Sequence, residues 1–151
     1  MSSFDKARAG RTTVIAMVGC SSVNIKAIKS PEKDNSSTIT VFRPDVFAAS
    51  GNDMVVAVNN NDVAVLRNSQ YVSVLVTPGE HKVSVRGSVG FSSDVEINTK
   101  PAEYVFFEAA GSVNNSVDFV PGTVLLKANY YIEQADKFDE SIYNNISVRY
   151  K

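Results

Sequence analysis

The chain of 151 residues contains no tryptophan, one cysteine and one histidine. A single cysteine excludes an internal disulfide, so an apolar core must hold the fold. A chain of this length buries roughly two thirds of its unfolded surface and needs neither disulfide nor metal to do so. A surplus of positive charge is also missing: 15 Lys and Arg stand against 16 Asp and Glu, a formal net charge of −1. That balance, with the bases scattered along the chain, excludes the basic stripe of a nucleic-acid binder. G-x-S-x-G, H-E-x-x-H and P-loop motifs are absent, and with them the commonest nucleophile, zinc and phosphate sites. The length suits one domain.

What the sequence has in quantity is valine, with many Ser, Thr and Asn. β-Branched side chains fit a pleated, half-buried surface better than a helix, so composition leans towards an all-β fold.

The N-terminal stretch is of another kind. Lys6, Arg8 and Arg11 precede an apolar run at 14–18, which ends at Gly19 and Cys20. A basic head, a short apolar segment and a small residue at the cut make the pattern of a secretory signal. The run is far too short to cross a bilayer as a helix, which takes about 20 apolar residues. Met17-Val18-Gly19-Cys20 resembles a bacterial lipobox, which implies cleavage before Cys20 and acylation of that cysteine. Residues 1–19 are therefore expected to be a lipoprotein-type signal peptide, residues 20–36 a polar tether around Ser30-Pro31-Glu32-Lys33-Asp34-Asn35, and residues 37–151 the folded domain. The serine after Cys20 is compatible with an outer-membrane destination.

From Thr38 onward, residues alternate between apolar and polar with turn signals between runs. Ile39 and Val41 share one face, with Thr38, Thr40 and Phe42 on the other, and Pro44 ends the run. Residues 54–58 and 63–66 flank Asn59-Asn60-Asn61-Asp62, a hairpin connection of residues that tolerate a left-handed backbone. Residues 71–76 and 81–86 flank Thr77-Pro78-Gly79-Glu80, where glycine supplies the positive φ. Residues 94–98 bury Val95 and Ile97. Residues 104–107 read as a fully apolar central strand, Val117 and Phe119 as a short strand before Pro121-Gly122, and residues 124–132 as a long strand with Tyr130 and Ile132 inward. Residues 133–140 read as a short helix and residues 146–150 as a last edge strand. The expectation is an antiparallel β-sandwich of about seven to nine short strands with a short C-terminal helix.

Phe42-Arg43-Pro44, then Thr77-Pro78-Gly79-Glu80-His81, then Tyr104-Val105-Phe106-Phe107, taken in order, resemble the DUF2846 family of bacterial lipoproteins and, more loosely, PEGA-type surface modules. The resemblance covers residues 39–140. It implies a compact β-sandwich on the periplasmic side of an envelope membrane, with no catalysis.

Candidate chemistry is sparse. His81 follows the Pro-Gly turn in phase with Val83 and Val85. It is a general-base or ligand candidate, but reads better as a turn-closing side chain whose ring bonds the backbone. Asp94, Glu96 and Glu103 fall on outward or turn positions. Asn52-Asp53 and residues 59–62 carry oxygen ligands of the kind that hold calcium, without EF-hand spacing. Phe42, Tyr71 and Tyr131 fall on outer faces where a glycan could stack, while Tyr130 and Phe106 read as core. Three N-x-S sequons begin at Asn35, Asn114 and Asn145 and carry no meaning in a bacterium. The sequence thus points to a non-enzymatic module without a cofactor, anchored by a lipid on Cys20 and bound to another envelope protein or complex. A glycan- or calcium-binding sandwich is the alternative.

Overall fold

The computed structural model describes residues 23–45, 52–87, 92–120 and 123–151; for residues 112–120 and 123–129 the description is of the backbone. The described residues form nine strands: β1 (Ser37–Arg43), β2 (Met54–Val58), β3 (Asn61–Leu66), β4 (Gln70–Val76), β5 (Gly79–Gly87), β6 (Ser92–Thr99), β7 (Tyr104–Val120), β8 (Thr123–Ala135) and β9 (Asn144–Asn145). They make two sheets, ordered β8-β7-β1-β4-β9 and β3-β2-β5-β6. The protein is an all-β sandwich.

The alternation read from the sequence sets the inner faces. Ile39 and Val41 of β1, Val72 and Val74 of β4, and Val83 and Val85 of β5 are fully buried between the sheets. Tyr130 and Ile132 of β8 close the core on one side, as their spacing requires. The turns follow their residues. Asn59 and Asn60 both have positive φ, the pair a tight hairpin demands, and Gly79 has φ 132°.

β2 is buried on both faces, including its outer Val55 and Ala57. Its neighbours explain this. Arg86 on β5 pairs in register with Val55, and Asp62 on β3 with Ala57. The two charged side chains meet across β2 in a bidentate pair, with both N···O distances 2.6 Å.

Several expectations are corrected. The first sheet is mixed, because β1 runs parallel to β7 and β4 parallel to β9. Parallel neighbours need a crossover, and the chain from β1 to β7 makes it through the opposite sheet, in β2 and β3 before β4 and in β5 and β6 after it. The two strands expected around 104–107 and 117–119 are one continuous strand, β7, with an irregularity between Val113 and Val117. Residues 104–107 are not buried throughout. Val105 and Phe107 point inward, whereas Tyr104 is 70% exposed and Phe106 lies half-buried on the outer face.

No helix forms over residues 133–140. Residues 133–135 extend β8 against Phe106, Phe107 and Glu108, and a strand ladder outweighs the weak propensity of so short a helical stretch. One 3-10 turn remains, Glu140–Ile142, capped by the Asp139 carboxylate accepting from the Ser141 N–H. The expected last strand begins earlier, at Asn144–Asn145 beside β4, and continues as a tail. Ile146 N–H donates to the Tyr71 carbonyl, and Tyr150 bridges to Ile28.

Residues 23–36 are more than a tether. Ile28 N–H donates to the Arg149 carbonyl, and the Ile28 carbonyl accepts from Lys151 N–H. Its side chain packs against the core with Ile146 and Val148. Residues 33–35 form a 3-10 turn leading into β1.

Candidate functional site

His81 is 7% exposed, at the end of the sandwich where the Asn59-Asn60 and Pro78-Gly79 turns meet. Its Nε2 donates to the Thr77 carbonyl at 2.6 Å, and its Nδ1 accepts from Asn59 Nδ2 at 3.0 Å. The Asn59 side-chain oxygen is in turn held by the Lys82 N–H at 3.0 Å, which fixes the amide orientation. The histidine ring therefore closes the Thr77 turn and ties two hairpins together. Two clefts flank it. One, of about 450 Å³, opens over Glu80, Lys82, Glu96 and Asn98. The other, of about 550 Å³, lies between Ile28, Pro31, Val58, Leu75 and Val76. With both ring nitrogens engaged, His81 presents neither cleft with a free base.

The two acidic, amide-rich clusters are likewise occupied by the chain itself. Asp53 pairs with Arg67 at 3.1 Å on the surface, and the Asn52 carbonyl accepts from Arg43. Asp62 is held by Arg86, and Asn61 Nδ2 donates to the Asn59 carbonyl. The hydrogen bonds from Arg86 hold the Asp62 carboxyl below its usual range, against the opposing effect of burial. Among the described residues, no group of three His, Cys, Asp or Glu side chains is arranged to hold a metal. The outer carboxylates also have local roles. Asp94 pairs with Lys82 at 2.9 Å, and Glu103 accepts from the Lys100 N–H at 2.6 Å.

The Arg86–Asp62 pair carries a pH dependence. A carboxylate whose folded pKa is depressed adds stability above its unfolded value, about 3.9, and that stability is lost as pH falls through the folded value. Asp62→Asn is expected to destabilise the protein by about 1–2 kcal/mol at neutral pH and to flatten the loss of stability below about pH 4. Urea titrations of both proteins from pH 7 to pH 2 measure this. Parallel acid limbs would refute it.

The outer-face aromatics are not an open stacking platform. Phe42 is 4% and Tyr71 8% exposed, because Phe138 lies over both, with ring centroids 5.2 and 4.9 Å away. Phe106 and Tyr143 complete the cluster at 5.6 and 5.5 Å from Phe138. Of the three candidate stacking residues, Tyr131 alone remains open, at 40% exposure. Burial first, and the Glu108 charge second, raise the phenols of Tyr131 and Tyr143 above their ordinary value, so both stay neutral at physiological pH.

Sequence reasoning gave no structural role to Arg43, which is the largest fully buried side chain among the described residues. Its Nη1 donates to the Asn52 carbonyl at 2.6 Å and the Leu66 carbonyl at 3.0 Å, joining β1 to the ends of the opposite sheet's β2 and β3. Burial lowers the guanidinium pKa, with Tyr130 and Asp53 opposing. The signal was present: Arg43 is in phase with the inward Ile39 and Val41. Cys20 and the signal-peptide expectation lie outside the described residues. Among the described residues, no helix is long and apolar enough to cross a membrane. In comparisons with known proteins the chain matches no family model, no curated protein and no solved structure.

Proposed function

We propose that the protein is a lipid-anchored structural or interaction module of a bacterial envelope, an outer-membrane lipoprotein facing the periplasm and serving as an accessory subunit of a larger complex. One observation carries the reading. Met17-Val18-Gly19-Cys20 follows a basic head and a short apolar run, and the part of the chain after it folds as a two-sheet sandwich with its own core, as a tethered module requires. Likeness to the DUF2846 lipoproteins points the same way. A loop-borne glycan or calcium site has less support, since Phe42 and Tyr71 are covered and the loop carboxylates are engaged by arginines.

The test is the intact mass of the protein from its native membranes, alongside Cys20→Ala. The expected result is a chain starting at Cys20 with a triacyl addition, absent from the variant. An unprocessed chain starting at Met1 would overturn the anchor.

A further inference from the structure

The β7–β8 hairpin runs well past the sandwich. β7 pairs with β1 only from Tyr104 to Glu108, yet its ladder with β8 continues to Val120 and Thr123. Among the described residues, no strand pairs with the other edge of β7 beyond Glu108, nor with the outer edge of β8. Residues 112–120 and 123–129 thus form a two-stranded arm about 30 Å long. A two-stranded ribbon alone is marginal in water.

Register shows how the arm is patterned. Directly opposed residues share a face. The core-facing pairs Ala109–Ile132 and Gly111–Tyr130 are followed on that face by Val113–Ala128, Val117–Leu126 and Phe119–Val124. One face of the arm is therefore apolar in sequence along its length, in continuity with the interior of the sandwich. The opposite face carries Ser112–Asn129, Asp118–Leu125 and Val120–Thr123. Lys127 is two residues from Leu125, so positions 118 and 127 belong to this same face. They are the only charged residues between 111 and 130, the acid on β7 and the base on β8.

We infer that the arm is a self-assembly element, in which β7 of one copy pairs with β8 of the next. Hairpins set side by side with their tips pointing the same way bring those two edges together antiparallel. That arrangement also sets the strand that carries Asp118 beside a neighbour's strand that carries Lys127. Pairing like edges instead would set two β8 strands, each with Lys127, or two β7 strands, each with Asp118, side by side, and would leave the other edge open. Head-to-tail pairing is heterologous, so it satisfies every edge only by closing a ring. The inference goes beyond the envelope reading and does not require a lipid on Cys20.

The test is sedimentation of the full chain in detergent, with Asp118→Lys, Lys127→Asp and the double exchange. The wild type is expected to sediment as a multiple of the chain mass. Each single variant should dissociate at about tenfold higher concentration, because an attractive pair becomes repulsive, and the double exchange should restore assembly. Circular dichroism and the melting temperature of each variant report folding separately. A wild type that stays a monomer at the highest soluble concentration overturns the inference, and so do single variants that assemble like the wild type.

Discussion

Replacing Arg43 with alanine is expected to lower the stability of the protein by about 3–5 kcal/mol, the largest loss for any polar position described. Two costs add. The side chain is fully buried, so truncation leaves a large cavity between the sheets. The Asn52 and Leu66 carbonyls also lose a charged donor, at the points where β2 begins and β3 ends. Arg43→Met separates the two terms: it keeps most of the volume and loses the donor, so a loss of about 1–3 kcal/mol is expected from the carbonyls alone. Urea unfolding of the three proteins measures both. A loss below about 1 kcal/mol for Arg43→Ala would show that water replaces the guanidinium and that the inter-sheet link has no structural weight.

Phe138→Ala is expected to cost about 2–3 kcal/mol, and locally to cost more. Phe138 contacts four other rings and holds the segment after β8 against the outer face of the first sheet. That segment leads into β9 and the tail, whose Asn144 and Ile146 amides donate to Ser69 and Tyr71. Without the ring, the tail should detach from β4 before the sandwich unfolds. Hydrogen exchange at the Asn144 and Ile146 amides reads this directly. Exchange should accelerate by more than the global loss of stability accounts for. Exchange that rises only in step with the global loss would show that the tail is held by its own hydrogen bonds.

Both residues mark where reading along the chain stops. Arg43 shares the phase of Ile39 and Val41, so its inward direction is legible. What is not legible is that carbonyls from the opposite sheet meet it there, because those partners come from residues 9 and 23 positions away. Phe42 was placed correctly on the outer face. It could not be known as covered, since its cover arrives from Phe138 after seven further strands of the two sheets have been laid down.

The sequence by itself determined most of the strands and their faces, and the tight turns. These depend on residues one or two apart: the alternation of Val83 and Val85 with Lys82 and Ser84, the paired asparagines at a left-handed turn, the glycine after Pro78. It also determined that His81 closes its turn, because Thr77 lies only four residues away. Only the tertiary structure decided the parallel pairing of β1 with β7, the single unbroken β7, the strand in place of a helix at residues 133–135, and the arginines that occupy the acidic loops. Each of these is settled by a partner distant in the chain. A ladder or an ion pair between remote segments outweighs local preferences worth a few tenths of a kcal/mol per residue.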